Sequence, residues 1–476
     1  MTLPQRHQTA GALRGIHHDR FLEFEMRELL KATITLPWAL SMVGVQQLAN
    51  LVSAPADGRV ADAAATLDAM TAAASHHVDG WLDQALDLGG AVQRGLADLT
   101  AMRPPSVDAS GLMRVATDPR WAAVFQATSE FGLGPVARLD ALRVASDHRE
   151  AALQECLNKL HVLRLLTQVY ADLGLDTANH DALPVLIDRA ASLQPFPRLW
   201  AIEAIGREYG DWALAAGDES GPMGVLTDAW LDPLPAWSLT MLHAGLGLSF
   251  AASVLAAIEP SSSLDLVRHL VTHFADLCRR SSRRGYAGAA LGSLGVVARM
   301  LHRDLMPLLA RTIPQVEPDL HAYFWHGAGR AVYLDPDFLL PSSNAPVRVI
   351  TTLKDEAPDE ASYRQALAGM SWTMTLVNMP HPEVIALFLS RQKTLASAAD
   401  VFATGVWSAL LVRHDTTPGD ARIRSFIEYQ PQDADVAALW HSQIASSCRL
   451  ALDRRYDHLK QTWALQDLFS YRPGVA

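Results

Sequence analysis

Three apolar runs in this 476-residue chain each set a carboxylate or a histidine, of the kind that moves protons, among apolar neighbours. The first is Leu199-Trp200-Ala201-Ile202-Glu203-Ala204-Ile205-Gly206-Arg207-Glu208-Tyr209, where Glu203 precedes a Gly-Arg step. The second, Met241-Leu242-His243-Ala244-Gly245-Leu246-Gly247-Leu248, sets His243 ahead of two glycines. The third, Ala322-Tyr323-Phe324-Trp325-His326-Gly327-Ala328-Gly329-Arg330-Ala331-Val332-Tyr333, joins His326, two glycines and Arg330 among aromatics. A lone ionisable group surrounded by hydrocarbon is unfavourable, so each of the three needs a partner or a task. Looking into one dry hollow, Glu203, His243 and His326 would supply a general acid and base, or three metal ligands. Held apart, each is a buried polar anchor, bonded to backbone or to Arg207 and Arg330. Arg330, with Tyr333 and Asp335 nearby, is suited to gripping a carboxylate or phosphate. Trp200, Trp325 and Arg207 complete the expected ligand-binding set.

His269 and His273 form a separate pair with the i, i+4 spacing by which a helix chelates a metal, and Asp265 and Asp276 share their stripe. Leu266, Val267, Leu270, Phe274 and Leu277 form the opposite, apolar stripe. The simpler reading is therefore a solvated face, and no metal is assigned; cofactors are left open. Gly285, Gly288, Gly292 and Gly295 follow at helical steps, which places them on one face of a helix expected over 285–312. Glycine costs about 1 kcal/mol per position inside a helix, so this pattern asks for close helix–helix approach or room for a ligand. The chain has no GxSxG elbow, GxxxxGK[ST] phosphate loop, GxGxxG, HExxH or EF-hand pattern, which weakens the common hydrolase, nucleotide-binding and metalloenzyme readings.

The elements that must position these residues are helices. Apolar periodicity and proline punctuation predict helices over 135–173, 264–281, 317–334, 359–378, 381–391, 394–413, 419–428 and 434–470. Ser261-Ser262-Ser263 supplies N-cap candidates for the second of these. Val347-Arg348-Val349-Ile350-Thr351-Thr352-Leu353 is the one strand candidate. The expected fold is all-α, an irregular or repeat-like helical array with a small N-terminal helical segment. Its divisions are a loose tail at 1–18, a helical segment at 19–101, the array at 111–334, and a C-terminal helical region at 347–476 packing on it. The motif starts at 199, 241 and 322 are spaced for repeating helix pairs, and Gly369-Met370-Ser371-Trp372-Thr373 is a further weak echo.

A formal charge of −11 argues against a nucleic-acid partner, because binding phosphates requires a basic face. Three scattered cysteines without a CxxC, no apolar leader and no confident membrane span lead to a cytoplasmic expectation. Leu36-Pro37-Trp38-Ala39-Leu40-Ser41 and the Ala-rich helix after it give 20–100 a faint resemblance to the phasins. The apolar stretch 33–52 within it reads as a buried core helix, with a helix in peripheral contact with a lipid or granule surface as the alternative. His-Ala-Gly-Leu-Gly-Leu at 243–248 and Gly-Ala-Gly-Arg-Ala-Val-Tyr at 327–333 resemble signatures of a little-characterised bacterial family encoded beside enediyne and other polyketide pathways. The resemblance covers 241–250 and 326–333, with the two motifs in reverse order, and implies a place in secondary metabolism. No site residue is carried over from it.

The expectation is a pocket that binds a hydrophobic small molecule, such as a lipid, polyketide or terpenoid intermediate, or transforms it by acid/base chemistry. The alternative is a non-catalytic scaffold or a protein adhering to a lipid or granule surface. A helical-repeat adaptor would expose Trp200 and Trp325.

Overall fold

The computed structural model describes residues 149–172, 183–216, 224–227, 231–335, 338, 345–391 and 398–473. Two compact units are distinguished, Met1–Leu153 with Leu340–Ser343, and Gln154–Leu339 with Asn344–Ala476. Of the first unit only Arg149–Leu153 is described, and the other described residues belong to the second. The tail at 1–18, the segment at 19–101, the phasin-like stretch and the surface-contact expectation for 33–52 all lie outside the described residues.

All regular structure among the described residues is helical, and the fold is all-α. The helices are α1 (Arg149–Asp172), α2 (Leu183–Ala191), α3 (Pro195–Ala216), α4 (Ala236–Leu255) and α5 (Leu264–Ser281). Then come α6 (Ala287–Leu291), α7 (Ser293–Leu301), α8 (Met306–Val316), α9 (Pro318–Leu334) and α10 (Ala345–Glu356). The last are α11 (Glu360–Asn378), α12 (Glu383–Arg391), α13 (Ala399–Thr416), α14 (Ala421–Ile427) and α15 (434–461). Helix α15 contains two π-helical turns, Trp440–Ala445 and Ala451–Arg455, and a 3₁₀ turn at Leu465–Phe469 comes after it.

Local signals account for several boundaries. Ser263 caps α5, accepting from the Leu266 amide, and Asp359 caps α11, accepting from the Ser362 amide at 2.7 Å. Asp420 and Asp433 do the same for α14 and α15. Prolines in the first turn open α8 and α9, where a missing N–H leaves no broken bond.

Two expectations are corrected. Residues 347–353 form part of α10 rather than a strand: a lone strand has no neighbour to satisfy its backbone, whereas a helix satisfies its own. Val349, Ile350 and Leu353 are all buried, a helical spacing that points them at α9, α11 and α12. The stretch 285–312 is three helices, not one. Gly285 adopts a left-handed φ of 89° in a turn, Gly288 lies in α6, Gly292 joins α6 to α7, and Gly295 lies in α7. Their spacing is helical, but the chain turns between them.

The core is a succession of helices in side-by-side contact: α3 on α4, α4 on α7, α7 on α9, α9 on α11, α11 on α13, with α13 returning to α4. That last contact includes a hydrogen bond from Thr240 of α4 to the buried Asp415 of α13, at 2.6 Å. Tyr456 and Lys460 of α15 also donate to Asp415, at 2.8 and 2.9 Å. Glycines set the spacing. A Cβ placed on Gly206 or Gly245 would run into backbone of the facing helix, so α3 and α4 touch main chain to main chain. Gly295 with Gly327 does this for α7 and α9, and Gly329 with Gly369 for α9 and α11. Helix α4 is the one helix among the described residues long and apolar enough to cross a membrane, and 83% of its apolar window is buried inside the fold.

Candidate functional site

The close approach of α9 to both α7 and α11 decides where the polar groups of its motif go. Arg330 lies on α9 and is buried. One of its nitrogens, Nη2, donates to Glu203 Oε1 of α3 at 3.4 Å, and its guanidinium carbon lies 4.4 Å from the centre of the Trp372 ring on α11. Phe469, from the 3₁₀ turn after α15, covers the same guanidinium at 5.8 Å. One helical turn earlier, the buried His326 ring meets Trp372 edge-on at 6.2 Å and Phe469 at 6.5 Å. Glu203, Arg330, His326, Trp372 and Phe469 therefore form one cluster, with an ion pair at one end and aromatic faces around it.

Burial dominates the electrostatics here. It pushes the Glu203 carboxyl above the usual carboxylate range, opposed by the charge and hydrogen bond of Arg330. It holds the His326 imidazole well below its ordinary value, and the Arg330 charge adds to that. His326 is thus neutral at pH 7. Three nitrogens of the cluster, Arg330 Nη1, His326 Nδ1 and Trp372 Nε1, are buried without a hydrogen-bond partner among the described residues. The Glu203–Arg330 contact is also loose beside two other buried arginine–carboxylate pairs, Arg413–Asp420 at 2.6 Å and Arg299–Asp335 at 2.8 Å. A guanidinium has five N–H donors, and this one has capacity to spare.

His243 has different partners. Its Nδ1 bonds the Leu239 carbonyl at 2.6 Å, its Nε2 accepts from the Arg283 amide at 3.0 Å, and its ring stacks on Tyr286 at 5.1 Å. Both nitrogens are occupied by backbone in the neutral tautomer protonated on Nδ1, so His243 ties α4 to the turn before α6. Burial lowers its pKa to about 4. In the unfolded chain the same imidazole titrates near pH 6.5. Between these values the unfolded state binds the extra proton, so stability falls as the pH drops from 6.5 towards 4. The full difference is about 3 kcal/mol. Urea midpoints measured at pH 7.5, 6.0 and 5.0 are expected to fall in that order, and H243Q to flatten the trend. A slope unchanged by H243Q would show that the imidazole is not held neutral.

The remaining expected residues lie elsewhere in the fold. Tyr333 donates to Glu155 Oε1 at 2.9 Å and accepts from Asn378 Nδ2 at 2.7 Å, with Lys159 Nζ 4.0 Å from its ring centre. Lys159, itself buried, pairs with Glu155 at 2.8 Å and donates to the Phe338 carbonyl. Tyr333 therefore belongs to a second, fully bonded polar network, separate from the motif's arginine pair. Arg207 lies 3.9 Å from Asp211 in a half-buried pair on α3. Trp200 and Trp325 are both buried; Trp200 packs on Phe196 and Trp325 on Phe324. Asp265 and Asp276 are exposed and His273 is half-buried, and among the described residues no three metal-binding side chains gather. The three cysteines are buried and free.

Sequence reasoning missed Trp372 and Phe469 as members of the cluster, and Glu155, Lys159 and Asn378 around Tyr333. Trp372 had a signal, the Gly369-to-Thr373 echo; Glu155 and Lys159 had another, an i, i+4 charge pair inside a Leu-rich helix. Phe469 had none. No known family model, characterised protein or solved structure matches this chain.

Proposed function

We propose that the chain binds a hydrophobic small molecule presenting a carbonyl or carboxylate oxygen, at the cluster of Glu203, Arg330, His326, Trp372 and Phe469. The observation that carries this reading is the group of unpartnered buried nitrogens on Arg330, His326 and Trp372. A buried donor left unsatisfied costs about 1–3 kcal/mol, and an oxygen acceptor delivered by a ligand removes that penalty. Aromatic faces on Trp372 and Phe469 suit an apolar body attached to such an oxygen. Any acid/base step falls to the neutral His326 and to the Glu203 carboxyl, whose pKa burial raises against the opposing charge of Arg330. His243 has no part in it.

Native mass spectrometry of protein purified without added ligand is expected to release an apolar species. Laurate titrated into stripped protein should change tryptophan fluorescence with one-to-one stoichiometry, and H326L should weaken that binding at least tenfold. A folded protein that emerges empty and gives a flat laurate titration removes the reading.

A further inference from the structure

A second place in the fold is open to solvent and is built around an arginine that no acid among the described residues neutralises. It is a cleft of about 210 Å³ between the first turns of α13 and the π-helical part of α15. Both π turns line it: Ser442 and Gln443 come from the first, Arg455 from the second. A π turn inserts an extra residue and re-aims side chains, and such turns concentrate at functional sites. Among the described residues Arg455 forms no ion pair or hydrogen bond, and its Nη1 is buried without a partner. Its guanidinium lies 4.6 Å from the centre of the Trp407 ring of α13, which holds it in place by a cation–π contact and leaves the edge with its N–H donors uncommitted.

We propose that this cleft binds a small monocarboxylate, its two oxygens gripped by the Arg455 guanidinium and its apolar part resting on Trp407, Ala403 and Leu450. A planar guanidinium matches a carboxylate with two parallel hydrogen bonds. Among the described residues the one acid in the lining, Asp400, is already bound by Arg364 at 2.7 Å and by the Tyr471 hydroxyl. Among the described residues the lining holds one cation, Arg455, and one carboxylate, which suits a monoanion over a phosphate dianion. The volume is below the ~300–1,000 Å³ of sites for drug-sized ligands, so the occupant is small, of the size of benzoate or a short-chain acid. This site shares no residue with the Glu203–Arg330 cluster and stands independently of it.

The test is calorimetric titration of the full chain with benzoate, short-chain carboxylates and inorganic phosphate. One-to-one binding of benzoate or a short-chain acid is expected, weakened at least tenfold by R455Q. S447L, which fills the cleft from its rim and leaves the guanidinium in place, should weaken it comparably, and circular dichroism of both variants checks that they fold. Carboxylate binding that survives R455Q and S447L, or no carboxylate binding at all, overturns the proposal. Phosphate binding more tightly than every carboxylate overturns the assignment of ligand class.

Discussion

Gly245→Ala is expected to destabilise the chain by about 3 kcal/mol, the top of the usual range for overpacking. A Cβ on Gly245 would sit 1.8 Å from the Glu203 carbonyl oxygen and 2.7 Å from the Arg207 amide nitrogen. Both obstacles are backbone, so no side-chain rotamer relieves them, and α3 must move away from α4. Alanine gains about 1 kcal/mol over glycine inside a helix, too little to offset the separation of two main chains. The same argument applies to Gly295, Gly329 and Gly369, each with a facing carbonyl at 1.8 Å. Gly292 is the internal control, because its nearest obstacle is 3.5 Å away. G292A should unfold within about 1 kcal/mol of the parent, on the stabilising side. Urea denaturation of the two variants decides the matter; equal midpoints would mean that α3 and α4 are not in backbone contact.

Arg330→Met should cost about 3–5 kcal/mol, the range for removing one member of a buried ion pair, and the loose 3.4 Å contact favours the lower end. Most of that loss comes from leaving the Glu203 carboxylate buried without its cation. E203L/R330M, which removes both charges, should regain most of the stability lost in R330M, because a buried pair does little better than apolar side chains of similar size. The pH dependence separates this from a simple packing defect. Burial already pushes the Glu203 carboxyl up, and Arg330 is the group opposing that push. Without it the folded-state value rises further above the unfolded one, so the folded chain binds the proton that the unfolded chain gives up. The deficit of R330M relative to the parent should therefore shrink as the pH falls from 8 to 5. A deficit constant across that range would place the loss in packing alone.

The all-α fold was legible because it rests on local signals. Apolar spacing, the Ser263, Asp359, Asp420 and Asp433 caps, and prolines at helix starts act within a few residues and need no knowledge of the rest of the chain. The helices at 264–281, 317–334 and 359–378 were placed to within a residue or so for that reason. Where local patterns misled, the deciding neighbour was distant in sequence. Val347 to Leu353 has the composition of a strand, but only another strand would make it one, and the helices around it supply apolar surface instead. The run from Gly285 to Gly295 has helical spacing, but the left-handed turn at Gly285 and the join at Gly292 reflect how α6 and α7 each meet α9.

The candidate site divides along the same line. Composition marked Glu203, His243, His326 and Arg330 as polar groups that burial would make unusual, and all four are buried. Residue type and spacing carry that much, because the unfavourable desolvation of a charge depends only on whether its segment enters the core. Which groups meet depends on helix packing. Glycine contacts bring α9 against α11, which lays Trp372 on Arg330; Glu203 then reaches the same guanidinium from α3, while His243 turns to the backbone of Leu239 and Arg283. A side chain's partner is fixed by the crossing of two helices far apart in the chain, and no pattern within either helix encodes that crossing.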